Sequence, residues 1–167
     1  MPIIRRCPSF SVEDIIPATI AQSEPAQSVI HFYIDDFQFE RFWRSPERYI
    51  SFLKNFKGVI GPDFSSYTDM PLPLRIYNEY RNKWLSSFWQ KHEVKVIPNV
   101  TWPIGKLEEF YLDGHPQRSM IAIAIYGLNR FELEQFQADI KRIVAALSPE
   151  LILLYGSGVN IINMQFV

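Results

Sequence analysis

Apolar residues in this chain alternate between short β-branched runs and longer stretches in which bulky side chains recur every three or four positions. Residues 29–34 read as a strand, and Asp35-Asp36 closes it at a helix start, where a carboxylate meets the positive end of the helix dipole. Phe39, Phe42 and Trp43 share one face of the helix that follows; Ser45 and Pro46 restart it as N-cap and first helical residue, and Tyr49, Leu53 and Phe56 continue the stripe. Gly58 ends that segment. Val59-Ile60-Gly61 then forms a short buried strand stopped by Pro62, which lacks an N–H, so Asp63 is thrown past the strand end.

Pro71 and Pro73 open a long helix whose apolar face carries Tyr77, Tyr80, Trp84, Leu85 and Phe88 and whose polar face carries Arg75, Asn82 and Lys83. Residues 94–97 form the third strand, and Ile97-Pro98-Asn99 repeats the ending of the second. Thr101-Trp102-Pro103 leads to a brief helix around Leu107 and Phe110, and Asp113-Gly114-His115-Pro116 makes a turn. Residues 120–126 are the fourth strand. Asn129 and Glu132 make a capping box, and Leu133, Phe136, Ile140, Ile143 and Leu147 the most regular helical stripe in the chain. Residues 151–155 are the fifth strand. The turn Gly156-Ser157-Gly158 is too short for a parallel crossover, so a strand in residues 159–167 has to be a hairpin partner.

Five strand–helix alternations predict the α/β class, with a mainly parallel sheet of about five strands and helices on both faces. The 167 residues fall short of a complete eight-stranded barrel of about 250, leaving a partial TIM-like barrel or an open doubly wound sheet. Residues 1–28, with four prolines and no sustained period, read as an irregular extended arm laid on a single α/β domain of residues 29–167, and no catalytic group is expected in the arm. In either architecture ligands bind beyond the carboxyl ends of the strands. That rule gathers Asp35, Asp36, Asp63, Asn99, Thr101, Tyr126, Tyr155 and Ser157 on one rim, joined by Arg81, expected to pair with Asp63 or Asp69.

A net charge of -1 and a pI near 6.3 give no support to a nucleic-acid or anionic-membrane binder. A single cysteine, Cys7, allows neither an intrachain disulfide nor a four-thiolate zinc site, and a cytoplasmic protein is expected. Arg5-Arg6 is followed by Cys7-Pro8-Ser9 and not by the apolar run of a signal peptide, and no apolar stretch approaches the roughly 20 residues that span a bilayer. Asp35 and Asp63 are the candidate ligands for Mg²⁺ or Mn²⁺, since hard cations want converging carboxylate oxygens; helix capping and turn formation are the plainer roles, and for Asp36 the preferred one. The same carboxylates would serve as acid and base if burial split their pKa values. Gly156-Ser157-Gly158 is either a phosphate-cradling turn or a simple hairpin turn. His31, His92 and His115 lack metal-ligand spacing, and Arg41, Arg44 and Arg48 with Trp43 and Tyr49 are either a strand-binding surface or solvated helix faces.

The runs 35–43 and 45–49, Gly58-Val59-Ile60-Gly61-Pro62-Asp63-Phe64-Ser65 with Tyr67, Asp69-Met70-Pro71, Asn78, Tyr80-Arg81, residues 96–100 with Trp102, and Tyr155-Gly156-Ser157 together resemble an uncharacterised bacterial family. This domain of unknown function is frequent in phages, prophages and other mobile elements. The resemblance implies a genomic setting and no reaction. After Ser157 the chain departs from it: family members continue with a helical stretch before a closing strand, whereas Gly158-Val159 follows at once here, as in a shortened C-terminus. The first functional expectation is a phage or mobile-element accessory protein, an interaction or inhibitor protein that binds a host or phage protein through rings such as Trp43, Phe88 and Trp89. The alternative is a small-ligand or divalent-metal-dependent enzyme in which Asp35, Asp63, Asn99 and Arg81 hold an anionic or metal-bridged substrate. The open edges of an incomplete barrel would also suit a homo-oligomer.

Overall fold

The computed structural model describes residues 1–19, 27–125, 130–156 and 159–165. In one sheet β1 (Ile15–Pro17), β2 (Val29–His31), β3 (Gly58–Ile60) and β4 (Val96–Ile97) lie side by side in chain order, all parallel. In the other, β5 (Met120–Ile125) and β6 (Leu151–Gly156) are parallel, and β7 (Val159–Gln165) returns antiparallel as a hairpin partner. A parallel bridge between Asn99 and Ala122 joins the two: the Ala122 N–H donates to the Pro98 carbonyl at 2.8 Å, and the Val100 N–H to the Ala122 carbonyl at 2.9 Å. The parallel strands β1 to β6 therefore follow one another without a reversal of order. A doubly wound sheet reverses at its switch point, so the partial barrel is the architecture of this chain.

Period-two alternation sorts the strand residues into two layers. Val29, Ile60, Ile97, Met120, Ala122, Leu151 and Leu153, drawn from β2 to β6, meet in one inner cluster with Ile15 of β1 packed against it. The sheet is curled enough for the His31 ring of β2 to stand 4.5 Å from the Tyr155 ring of β6. Outward, Ile30, Phe32, Val59 and Val96 pack on Phe39 and Phe42 of α1 (Asp36–Arg44), Leu53 of α2 (Ile50–Leu53) and Leu85 and Trp89 of α3 (Leu72–Lys91). Ile121, Ile123, Ile152 and Leu154 pack on Tyr111 of α4 (Glu109–Leu112) and Phe136, Ile143 and Leu147 of α5 (Arg130–Leu147). Each such side chain contributes about 1.5–3 kcal/mol by leaving water.

Residues 1–28 supply β1, so this segment is more than the irregular arm expected of it. They also close the amino end of the barrel. The Cys7 N–H donates to Ser119 Oγ at 3.0 Å, the Met120 N–H to the Cys7 carbonyl at 2.9 Å, and Cys7 and Val12 join the inner cluster. The carboxyl end is left as the accessible one.

Helix α3 packs Leu85, Trp84 and Phe88 against the core as expected but departs from the expected polarity elsewhere. Arg75, Asn82 and Lys83 are buried, whereas Tyr77 and Tyr80 are 47% and 39% exposed. The reason is local backbone demand. Asn82 accepts from the Phe64 N–H at 2.8 Å, Asn78 Nδ2 donates to the Ser65 carbonyl at 2.6 Å, Lys83 Nζ donates to the carbonyls of Phe110 and Tyr111, and Gln90 bonds both backbone groups of Arg5. Irregular chain packed on the helix needs these partners more than it needs apolar area. Trp89 belongs to the core at 0% exposure, and Trp43 and Phe88 are half-buried against it, so the rings expected to form an interface are mainly structural. Leu133, at the start of α5, is 46% exposed and drops out of the stripe that buries Phe136, Ile143 and Leu147.

Candidate functional site

An open cleft of about 930 Å³ lies beyond the carboxyl ends of the strands. Its floor is set by residues that follow the two strand-ending prolines. After β3, Gly61 comes so close to α3 and the β4 exit that a Cβ there would sit 2.7 Å from Ser86 Oγ and 3.3 Å from the Asn99 nitrogen. Pro62 then turns the chain and delivers Asp63 to the cleft lining. After β4, Pro98 does the same for buried Asn99, with Thr101 on the lining.

These side chains form one hydrogen-bonded relay. Tyr33 donates its O–H to Asn99 Oδ1 at 2.9 Å, and Asn99 Nδ2 donates to the Pro62 carbonyl and to Asp63 Oδ1, each at 3.2 Å. Burial pushes the Asp63 carboxyl up to about 6, against hydrogen bonds from the Thr101 and Asn99 side chains and with help from the nearby charge of Asp36. Below Tyr33, the His31 ring accepts the Tyr33 N–H at Nδ1 at 3.1 Å, which makes Nε2 the protonated nitrogen of the neutral ring. Burial lowers His31 to about 4 and keeps it neutral. Tyr155 stacks on Tyr33 with centroids 5.2 Å apart.

Of the rim predicted from sequence, Asp35, Asp63 and Thr101 line the cleft, Asn99 holds Asp63 from behind, and Tyr155 braces Tyr33. Asp36 turns away: its carboxylate accepts from the Ser65 N–H at 3.1 Å and Oγ at 2.9 Å, pinning the loop after β3. Arg81 pairs with neither Asp63 nor Asp69. Its guanidinium bonds Glu40 at 3.0 Å and Asn78 at 2.7 Å and lies 3.6 Å from the centre of the Phe64 ring, because α3 presents it to α1 and not to the cleft. Tyr126 and Ser157, with the capping residue Asn129, lie outside the described residues.

The lining also holds Tyr67, Asp69, Trp102, Glu132 and Phe136, none of which the sequence reading placed at the rim. Asp139 of α5 fixes Trp102 by accepting its indole N–H at 2.7 Å and the Gly105 N–H at 2.9 Å, and the indole stacks on Phe136. Tyr33 was within reach: residues 29, 31 and 33 alternate inward on one strand pattern. Trp102 and Asp139 are 37 positions apart, and no local signal joins them.

Among the described residues no group of three or more His, Cys, Asp or Glu side chains gathers as a metal cage would. Asp63 already accepts hydrogen bonds from two side chains, and Asp35 alone does not complete an octahedral oxygen set. Among the described residues Asp35 and Asp63 by themselves make no cage for Mg²⁺ or Mn²⁺.

A second polar cluster lies buried within reach of the Asp63 charge, which helps to raise the Glu79 carboxyl. Lys83 Nζ meets Glu79 Oε1 at 2.9 Å, and His115, wholly buried, stands 3.9 Å from the same oxygen.

A family model described as a domain of unknown function, DUF4417, matches residues 4–167. The Gene 1 protein of Mycobacterium phage L5 is 31% identical over 160 residues, which cover 89% of this chain and 70% of that protein. The Gene 1 protein of Mycobacterium phage D29 is 33% identical over 129 residues, covering 76% of this chain and 48% of that relative. No solved structure matches the chain. Among the described residues no helix is long and apolar enough to cross a membrane.

Proposed function

This chain belongs to the DUF4417 family, with relatives in mycobacteriophages, and from that premise we propose that it is a phage accessory protein that binds a small polar ligand in its strand-end cleft. The observation that carries this reading is Asp63, held at the floor of a 930 Å³ cleft by Asn99 and Thr101. Ligand sites span roughly 300–1,000 Å³ and combine apolar walls with a few oriented polar groups. Ile34, Val100, Ile104 and Ala124 are such walls. A carboxyl near 6 is also suited to exchanging a proton at neutral pH, so Asp63 would be the general acid or base if the bound ligand reacts. Tyr33 and Asn99 position it, while Asp35 and Thr101 meet the ligand.

A second reading, binding of a host or phage protein, is favoured by Leu72, Leu74, Ile76, Tyr77 and Tyr80. All five are exposed side chains of α3, and Ile76, Tyr77 and Tyr80 line a shallow groove of about 600 Å³ with Pro73 and Phe110. Amide chemical-shift mapping with mixtures of small polar compounds separates the two. Shifts are expected at residues 61–69 and 99–105; shifts confined to residues 72–80 would move the function to the outer face of α3.

A further inference from the structure

The charge of the cleft walls defines what enters it. We infer that the ligand is a small organic cation bearing an ammonium or guanidinium group, an inference that rests on the cleft being the binding site. Asp35, Asp63, Asp69 and Glu132 are the charged residues among those described on the lining, and no lysine, arginine or histidine stands with them. Residues 20–26, 126–129, 157–158 and 166–167 contain no basic residue either, so none of them adds a positive charge.

Of the bases around the cleft, Arg81 and Arg75 are committed elsewhere, while Lys106 stands at its edge and Arg130 opens the helix that carries Glu132. Arg81 is bound by Glu40 and Asn78, Arg75 by Glu108, and Lys106 donates to the Thr68 carbonyl at 2.7 Å at the cleft edge. A concave surface of one sign with low-dielectric walls concentrates the opposite charge. The rings of exposed Tyr67 and half-buried Trp102 on the same lining add faces that attract a cation. These rings have cause to be there that is independent of the acids, since a purely solvated acidic patch needs no aromatic wall.

Anions are disfavoured twice over. A phosphate would seek a helix amino terminus. Among the described residues the amino terminus of α1 at this rim already carries Asp35 and Asp36, and the first turn of α5 carries Glu132 on the lining, so each meets a carboxylate before it meets an anion. This reverses the anionic substrate expected from sequence. Asp63 supplies the attraction: at pH 7 a carboxyl near 6 is mainly ionised in a site that penalises its charge, and a bound cation would relieve that penalty.

The test is calorimetric titration of the full chain with agmatine and spermidine, alongside inorganic phosphate, AMP and glucose, with amide shifts recorded in parallel. Agmatine or spermidine is expected to bind and to shift residues 61–69 and 99–105. Asp63→Asn and, should that variant fold poorly, Asp35→Asn are expected to weaken binding about tenfold, the factor of a 1.4 kcal/mol loss. Binding of phosphate, AMP or glucose at the cleft without the cations would overturn the cation class and leave the cleft as the site. Cation binding indifferent to both substitutions, with no shift in the cleft, would also overturn it as mere surface attraction. Silence of the cleft toward all five probes overturns it too, and the compound mixtures then decide separately whether the cleft binds anything.

Discussion

Glu79 and Lys83 show at the scale of single residues what burial does to charge. Desolvation raises the Glu79 carboxyl and lowers the Lys83 ammonium, each toward its neutral form and each opposed by the charge of the other at 2.9 Å. Burial, reinforced by the Lys83 charge, also holds His115 neutral. Removing one partner strands the other. Lys83→Ala is expected to cost about 3–5 kcal/mol in urea denaturation, with much of the loss recovered in Lys83→Met combined with Glu79→Leu; a single-variant cost below about 1 kcal/mol would show that Glu79 is not left as an uncompensated buried charge. At this scale Asp63 and Asn99 were legible in the chain, because a proline after a β-branched run marks where a strand must stop. The partner of Arg81 was not. Glu40 lies 41 positions away, and only the packing of α1 on α3 brings it within 3.0 Å.

At the scale of elements, Gly61 is the contact that sets α3 against the strand ends. A methyl group there would meet Ser86 Oγ at 2.7 Å and the Asn99 nitrogen at 3.3 Å. Gly61→Ala is expected to destabilise by about 1–3 kcal/mol, in the range of overpacked sites. Because Ser86 Oγ is the nearer obstacle, Gly61→Ala with Ser86→Ala should cost less than the two single changes summed, measured as a double-mutant cycle. Additive costs would place the strain at the Asn99 backbone instead. The position of α3 was readable from its periodicity, but its orientation was not. Tyrosine and tryptophan tolerate a half-exposed face, and the amide and ammonium groups found buried are worth burying only where loop carbonyls and N–H groups wait for them.

Across the whole molecule, buried titratable groups set opposing slopes of stability against pH. Asp63 rises from 3.8 to about 6, so the stability it contributes is complete below its unfolded value and is lost as pH climbs through 6. His31 falls from 6.5 to about 4, so its contribution is complete above its unfolded value and is lost as pH drops toward 4. Between pH 4 and 6 the two nearly cancel. Asp63→Asn removes the first slope and keeps the second, so its stability relative to the wild type is expected to rise by about 3 kcal/mol from pH 4 to 6 and then level off. Urea denaturation across that range checks the sign; a difference constant with pH would show that Asp63 titrates as an ordinary exposed carboxyl.

The amino-acid sequence alone determined the α/β class, the parallel strands from residue 29 onward, the closing hairpin and the placement of Asp63, Asn99 and Thr101 just beyond strand ends. All of these follow from local periodicity, proline geometry and turn length, which neighbouring residues decide among themselves. Tertiary structure decided the barrel over the doubly wound sheet, the entry of β1 from the amino-terminal segment, the inward turn of the polar face of α3 and the acidic, base-free walls of the cleft. Each of those depends on which distant residues share a surface once the strands line up in order. A local pattern states that a side chain must be buried or capped, but only the assembled chain supplies the group that meets it.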